Sequence, residues 1–191
     1  MLICFIGSPC SGKTTAAAAL FSELKNMGYA SEFIPEVARE HIMMKRRATG
    51  DQEPSLTKMD QVDIYRKQEH KEELYRNNCP NSIIISDGST INSYFYGLDH
   101  VLDLGQEISR YDLVFFCENI ERFIRDDNRV HDAPFSRDME MRIHTELRKV
   151  PREEGHAYPR NLWMLKGNKD KRLKEMVELF KLRILDETGK E

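Results

Sequence analysis

Short apolar runs alternate along the chain with longer amphipathic stretches. Apolar, β-branched or aromatic segments bounded by polar residues, Gly or Pro predict five strands, at 2–6, 31–34, 82–86, 112–117 and 161–165. Amphipathic stretches between them predict helices at 13–27, 36–47, 57–77, 138–149 and 169–184. Because the predicted strands are apolar throughout, both faces of their sheet should be covered. That is typical of a parallel sheet between two helix layers, an α/β architecture.

The chain of 191 residues is short enough to form one domain, and we predict a single domain over 1–191. Two stretches interrupt the regular pattern. Residues 48–56 are rich in Gly, Pro and acidic residues, which predicts a mobile loop. Residues 123–137 are polar, contain Pro134 and lie between two predicted helices, and they form a candidate lid.

Composition excludes several classes of protein. Hydrophobic residues make up 40% of the chain and charged residues 32%, and the chain contains no apolar run long enough to span a membrane. The four cysteines show no CxxC pair or zinc spacing, which favours reduced thiols and a cytoplasmic location. A net charge of −3 argues against a protein that coats nucleic acid, although a local DNA-binding cleft would be compatible with it.

The first predicted strand runs directly into the motif G-x-x-x-x-G-K-[ST], which is typical of a loop that binds phosphates. Glycines allow the backbone N–H groups to turn inward, and the following helix directs its positive end at the same point. Lys13 would reach the β- and γ-phosphates of ATP, and the Thr14 hydroxyl would bind Mg²⁺. An incidental glycine-rich turn is the alternative. The predicted ATP-binding residues here are Gly7, Ser8, Pro9, Cys10, Ser11, Gly12, Lys13, Thr14 and Thr15.

Two acidic residues follow predicted strands and are candidates for the chemistry of phosphate transfer. Asp87 ends the third strand, where an acid can face a bound Mg²⁺, although Asp-Gly is also a common turn pair. Glu36 follows the second strand and could position an acceptor hydroxyl, although an acid beside a proline is also ordinary at a helix start. Arg39, one turn further on, could hold Glu36 or the acceptor.

The motifs favour a kinase over other phosphate-binding proteins. Residues 87–90 (DGST) lack the D-x-x-G of a GTPase, and residues 168–171 (NKDK) fall one residue short of N-K-x-D. A motor ATPase or transporter normally needs a longer chain. In the candidate lid, Arg125 and Arg129, with Arg137, could neutralise charge that develops during phosphate transfer. A solvated charged loop is the alternative for these arginines.

The predicted helix 57–77 carries four polar or aromatic residues on one face: Gln61, Tyr65, Gln68 and Glu72. Gln68 could read a base edge and Tyr65 could stack on a ring, whereas the alternative is a solvated helix face. The aromatic residues at 94–96 could wall a base pocket or belong to the core.

Five segments together resemble the nicotinamide-riboside-kinase-like P-loop kinases, which are relatives of deoxynucleoside and thymidylate kinases. These segments are GSPCSGKTT at 7–15, PEVAREHI at 35–42, SDGSTINSYFY at 86–96, RDDNR at 125–129 and the stretch 167–172. The resemblance implies a P-loop NTPase sandwich whose five-stranded parallel sheet has the order 2-3-1-4-5. It also implies that Gly167 and Arg172 lie by the adenine and that Tyr96 is the tyrosine after the third strand. Asp127 departs from the glycine of the family's lid.

We therefore expect a phosphotransferase that moves the γ-phosphate of ATP, with Mg²⁺, to a hydroxyl of a nucleoside, nucleotide or related small molecule. Lys13, Glu36, Asp87, Arg125 and Arg129 would be catalytic. Thr14 and Asp87 would hold the metal, and the acceptor would bind to Glu36, Arg39, Gln68 and Tyr96. Two alternatives stay open: a kinase acting on polynucleotide ends or hydroxymethylated bases in DNA, and a nucleotide-dependent ATPase or regulatory switch without an acceptor.

Overall fold

The computed structural model describes residues 1–119, 132–151 and 158–188, with side chains as far as residue 184. The strands are β1 (Leu2–Ile6), β2 (Ser31–Ile34), β3 (Ile83–Ser86), β4 (Leu113–Cys117) and β5 (Leu162–Leu165). The helices are α1 (Lys13–Asn26), α2 (Val37–Thr49), α3 (Lys58–Asn78), α4 (Thr90–Ser93), α5 (Leu104–Ser109), α6 (Ala133–Leu147) and α7 (Lys169–Thr188). A π-helical turn, Tyr94–Leu98, continues α4.

The five strands form one parallel sheet in the order β2-β3-β1-β4-β5, which confirms the predicted order. β1 lies at the centre, with Ile3 opposite Ile85 of β3 and Leu113 of β4. The carboxyl ends of β1, β3 and β4 therefore meet at one edge of the sheet. In open sheets of this kind, that edge is where ligands bind.

Two apolar clusters cover the two faces of the sheet, as the wholly apolar strands predict. Leu2, Cys4 and Ile6 of β1 face the cluster that contains Phe95 and α6, whereas Ile3 and Phe5 face the cluster beneath α1 and α7. Every residue of β1 is buried because the alternating side chains enter opposite layers of packed helices.

α6 begins five residues before the predicted helix 138–149. Asp132 caps it, accepting a hydrogen bond of 2.9 Å from the backbone N–H of Phe135, and Pro134 lies in the first turn. Proline is tolerated there because its missing N–H would have no helical partner. The prediction that the segment up to Arg137 lies between two helices was therefore wrong for its last five residues, 133–137, which belong to α6.

All four cysteines are free thiols. Among the described residues, none of the helices has the length and apolar character needed to cross a bilayer.

Candidate nucleotide-binding site

The loop between β1 and α1 has the backbone torsions that its glycines permit. Gly7 has φ +147°, and an added Cβ would lie 2.5 Å from the Cys117 carbonyl oxygen of β4. Gly12 precedes α1 in the left-handed region, with φ +85°. Cys10 also has positive φ, at +65°, which is unusual for a residue with a Cβ. The loop therefore curls tightly before the amino terminus of α1, where backbone N–H groups favour an anion.

The Lys13 side chain lies across this loop. Its ammonium group donates hydrogen bonds of 2.9 Å to the carbonyl oxygens of Gly7 and Ser8. Lys13 also lines the cavity above the loop, which places its positive charge beside the space that phosphates would enter.

A buried hydrogen-bond cluster holds the loop from the side of α6. The Ser136 hydroxyl donates to the Pro9 carbonyl oxygen at 2.5 Å and lies 3.1 Å from Ser8 Oγ. Ser8 Oγ donates to Asn119 Oδ1 at 2.7 Å, and Glu140 accepts from the Asn119 backbone and amide nitrogens. Sequence reasoning missed Ser136, Asn119 and Glu140, because no motif links them to a loop more than 100 positions away.

Arg172, in the first turn of α7, holds the loop from the side of α7. Its guanidinium group donates to the carbonyl oxygens of Ser11 and Glu118, each at 2.6 Å, and the residue is only 3% exposed. Gly167 lies in the β5–α7 connection with φ +83°. The adenine-binding roles of Arg172 and Gly167 stay predictions.

Asp87, directly after β3, lies beside Thr14 at the start of α1. Burial is the largest cause that raises the pKa of Asp87, to about 6, and the Glu36 carboxylate raises it further. A hydrogen bond with the Thr14 hydroxyl, and the charges of Lys13 and Arg39, act in the opposite direction. Asp87 Oδ1 is buried and has no hydrogen-bond partner in the described part of the chain. A buried carboxylate oxygen without a donor, next to a hydroxyl, fits the oxygen ligands that Mg²⁺ prefers.

Glu36 is the residue that precedes α2, and its carboxylate lines the same cavity as Lys13. Arg39 Nε lies 3.7 Å from Glu36 Oε2, so the two side chains form the pair that their spacing allows. Gly88, with φ +133°, lies between Glu36 and Gln68 of α3. The cavity thus has an acidic and a basic group on the side of α2 and an amide on the side of α3.

The structure brings most of the predicted site residues to one cavity. Those that line it are Gly7, Pro9, Cys10, Gly12, Lys13, Thr14, Thr15, Glu36, Arg39, Gln68 and Tyr96. Ser8 and Ser11 are buried within the loop instead. Further lining residues that sequence reasoning did not assign to a site are Val37, Ala38, Ile42, Leu56, Gln61, Ile64, Gly88, Ser89, Asn92 and Ser93.

The polar face of α3 is not solvated, so that alternative was wrong. Gln68 is 3% exposed and Glu72 is 1% exposed. Gln61 is also buried and lines the cavity. Tyr65 is half-buried, and its hydroxyl donates to Glu107 of α5 rather than facing the cavity. Sequence spacing placed these residues on one face, but only the folded chain shows that the face is covered.

The aromatic residues at 94–96 have different positions. Phe95 is buried in the core, whereas Tyr96 lines the cavity and stacks on Phe135 of α6, with ring centroids 6.4 Å apart. Arg125 and Arg129 of the candidate lid lie outside the described residues. Arg137 is exposed on α6.

The loop that carries the phosphate-binding motif, residues 7–14, is called the phosphate-type loop below. Together with the acid after β3 and the strand order, it defines the fold of the P-loop NTPases. Comparison with known families agrees with this class. The chain belongs to the AAA domain family, whose model matches residues 2–159. No curated protein matches the sequence.

Solved structures with the same fold include three proteins of low sequence identity. Deoxyadenosine kinase from M. mycoides is 11% identical, with a TM-score of 0.56 over 95% of this chain and 99% of that one. Thymidylate kinase from Ehrlichia chaffeensis is 16% identical, with a TM-score of 0.57 over 94% and 98%. The NadR protein in complex with NR is 18% identical, with a TM-score of 0.60 over 98% of this chain but half of that one. At these identities the likeness shows the fold.

Proposed function

We propose that the protein is a kinase that transfers the γ-phosphate of ATP to a hydroxyl of a nucleoside, nucleotide or related small molecule. One observation carries the proposal. A single cavity is lined by Lys13 and Thr14 of the phosphate-type loop and by Glu36, Arg39 and Gln68 beside it. A protein that only bound a nucleotide would need the loop but not the acidic, basic and amide groups that α2 and α3 add beside it. Two proteins of the same fold are named as kinases of a nucleoside and a nucleotide, which supports the class of acceptor.

The donor side of the cavity would bind the phosphates of ATP. Backbone N–H groups of the loop and the amino terminus of α1 supply hydrogen bonds, and Lys13 supplies a positive charge. Lys13 would exchange its bonds to the Gly7 and Ser8 carbonyls for phosphate oxygens. Ser136 and Arg172 would keep the loop in its curled form during this exchange, because each binds a loop carbonyl oxygen.

Thr14 and Asp87 are the residues that would hold Mg²⁺. When bound, the ion would neutralise negative charge on the β- and γ-phosphates. Asp87 would be ionised in this role, and removal of its negative charge would weaken the site. The Oδ1 atom of Asp87, which has no hydrogen-bond partner among the residues that the structure describes, supports this assignment.

The acceptor hydroxyl would lie beside Glu36. The hydroxyl oxygen forms a bond to the γ-phosphorus while the bond from that phosphorus to the β–γ bridging oxygen breaks, which leaves ADP. The hydroxyl proton passes to the Glu36 carboxylate. Arg39 would keep Glu36 oriented through their contact. Arg125 and Arg129 would neutralise the charge on the transferring group.

A transfer assay tests the proposal. The protein is incubated with γ-labelled ATP and Mg²⁺ and with nucleosides, nucleotides, oligonucleotide ends and DNA containing hydroxymethylated bases. We expect label on a free nucleoside or nucleotide. Glu36→Gln should lower kcat about 100- to 10,000-fold, the usual range for loss of a general base, while ATP binding is retained. Lys13→Ala should abolish ATP binding.

The matched control is Glu178→Gln, which removes a carboxylate that is 61% exposed on α7 and should leave the rate unchanged. Label found only on DNA, with a rate that falls steeply with salt, would support the DNA kinase instead. Release of label only as inorganic phosphate, unaffected by any alcohol, would support an ATPase or regulatory switch and would refute the kinase.

A further inference from the structure

A buried hydrogen-bond network lies behind the cavity and joins α3, β3 and the residues before β4. The Gln68 amide nitrogen donates to Glu72 Oε1 at 2.7 Å and to Ser86 Oγ at 2.8 Å. Ser86 in turn donates to Glu72 Oε1 at 3.1 Å, and Tyr111 donates to Glu72 Oε2 at 2.9 Å. All four side chains are buried. In the phosphate transfer proposed above, Gln68 only contacts the molecule that receives the phosphate, and Glu72 has no part.

With Glu72 ionised, above its pKa of about 7, the protons of this network have a consistent arrangement. The Thr90 backbone N–H donates to the Tyr111 oxygen at 2.9 Å, and the Thr90 hydroxyl, 3.0 Å away, can donate to the same oxygen, which leaves the Tyr111 proton for Glu72. Ser86 accepts from the Gln68 amide and passes its own proton to Glu72. The Glu72 carboxylate is therefore the common acceptor for three donors, as an ionised carboxylate can be.

This arrangement fixes which end of the Gln68 amide faces the cavity. A flipped amide would place its oxygen, an acceptor, against the Glu72 carboxylate oxygen, another acceptor. With the nitrogen held inward, the amide oxygen lies on the side of Gly88, where it would be 3.6 Å from a Cβ at that position. Gly88 and Gln68 both line the cavity, and the described residues include no hydrogen-bond donor to the Gln68 amide oxygen.

We propose that Glu72 is a positioning residue that holds the Gln68 amide oxygen toward the cavity, so that the site selects acceptors presenting an N–H donor at that point. This inference rests on the proposed function. An acceptor with an amino group there gains a hydrogen bond from its N–H to Gln68. In an otherwise similar substrate, a carbonyl oxygen at that point would face the Gln68 amide oxygen, and neither oxygen can donate a hydrogen bond. The protein could relieve this contact only by breaking the network.

Matched pairs of acceptors test the inference, with all rates measured at about pH 8, where Glu72 is mostly ionised. The pairs are adenosine and inosine, cytidine and uridine, and nicotinamide riboside and nicotinate riboside, with the monophosphates of the first two. Each pair replaces an amino group by an oxygen that cannot donate at neutral pH. We expect the wild type to favour the amino member of at least one pair by about 10- to 100-fold in kcat/KM, which is the usual effect of one mismatched buried hydrogen bond.

Glu72→Gln should reduce that ratio to within about threefold of unity, because a neutral amide can pair with either orientation of Gln68. A purely structural role would lower both rates and leave the ratio intact. Glu73→Gln is the matched control, since it removes an exposed carboxylate one residue away on the same helix and should keep the wild-type ratio. Gln68→Met should remove the preference without touching Glu72, and it provides a test if Glu72→Gln fails to fold.

Three results would overturn the inference. They are a wild type that favours the oxygen-bearing member, a folded Glu72→Gln with the wild-type ratio, and a Gln68→Met that keeps the preference. A protein that phosphorylates other alcohols but no member of these pairs would also overturn it while leaving the proposed kinase intact. Failure to phosphorylate any alcohol would refute the proposed function itself.

Discussion

Gly7 occupies a position where two separate requirements exclude a side chain. Its φ is +147°, and an added Cβ would meet the Cys117 carbonyl oxygen at 2.5 Å and Ser11 Oγ at 2.7 Å. Gly28 also has positive φ, +86°, but an added Cβ there would meet nothing within 4 Å. We expect Gly28→Ala to lower the free energy of unfolding by about 1 kcal/mol, from backbone strain alone.

Gly7→Ala should lower the free energy of unfolding by about 2–4 kcal/mol, because β1 and β4 must also move apart. Urea denaturation of both variants measures the difference, with Gly28→Ala as the control for strain. Equal losses in the two variants would show that the close approach to β4 contributes nothing.

Glu72 makes the stability of the protein depend on pH. Burial is the main cause that raises its pKa from 4.5 to about 7, against the hydrogen bonds from Gln68, Tyr111 and Ser86 and the charge of Arg110. The unfolded chain releases the proton near pH 4.5, but the folded chain keeps it until about pH 7. Since the unfolded state then binds fewer protons, the free energy of unfolding falls by about 3 kcal/mol as pH rises through this window.

The measurement compares the wild type with Glu72→Gln by urea denaturation from pH 4.5 to pH 8. Other groups, including Asp87, titrate in both proteins, so their contributions cancel in the difference. We expect the stability of the wild type relative to the variant to decrease by about 3 kcal/mol across this range. A difference that stays constant with pH would mean that Glu72 ionises at its ordinary pKa.

At the scale of elements, α6 and the phosphate-type loop are joined by Ser136. Ser136→Ala removes the donor to the buried Pro9 carbonyl oxygen and the contact with Ser8. We expect a loss of about 1–3 kcal/mol in the free energy of unfolding, because the Pro9 oxygen loses its donor. We also expect ATP to bind about 10-fold more weakly, since the loop is less well held.

Thr145→Ala is the matched control for this prediction. Its hydroxyl donates to the Met141 carbonyl oxygen within the same helix, on an exposed surface. Its removal should change the free energy of unfolding by less than about 0.5 kcal/mol and leave ATP binding unchanged. Thermal denaturation and titration with ATP measure both effects. If Ser136→Ala behaves like Thr145→Ala, α6 does not support the loop.

The helices and strands were predictable from sequence where the apolar residues follow one repeat, either helical or extended. The strands are short apolar runs, and the five longer helices carry amphipathic patterns of three turns or more. α4 and α5, with four and six residues, are too short to show a helical period. The start of α6 was missed because Pro134 indicates either a loop or a first helical turn, and only the cap from Asp132 decides between them.

The polar face of α3 shows why part of the site could not be predicted. Gln68 and Glu72 have the spacing of one helix face, but a polar face is more often solvated. Its burial depends on Ser86 and Tyr111, which are 14 and 39 positions from Glu72 and supply the hydrogen bonds that make burial of the carboxylate tolerable. The phosphate-type loop was predictable because its residues are consecutive.

At the scale of the whole molecule, the position of the cavity follows from the strand order. β1 is central, its neighbour β3 is separated from it in sequence by β2 and three helices, and β4 lies on the other side. The loop after β1 and Asp87 after β3 therefore meet at the carboxyl edge of adjacent strands. Three elements that are distant in sequence then complete the cavity. They are α2, α3 and the π-helical turn, which contribute Glu36, Gln68 and Tyr96.

Because so many elements meet at this cavity, ATP with Mg²⁺ should stabilise the whole fold. Ligand at 100 times its dissociation constant raises the free energy of unfolding by about 2.7 kcal/mol, and for a chain of 191 residues this corresponds to an increase of about 5–10 °C in Tm. Thermal denaturation with and without ATP measures the shift, and chelation of Mg²⁺ should reduce it. Lys13→Ala should show no shift, because the phosphates lose their positive partner.

The variant Glu36→Gln tests, by the same thermal denaturation with and without ATP, whether the donor side and the acceptor side of the cavity are separate. Glu36 is placed on the acceptor side, so its neutral variant should keep the full increase in Tm while losing phosphate transfer. Loss of the ATP-dependent increase in Glu36→Gln would mean that Glu36 contacts ATP or its metal rather than the acceptor. The separation of donor and acceptor sides would then be wrong, even if the protein proved to be a kinase.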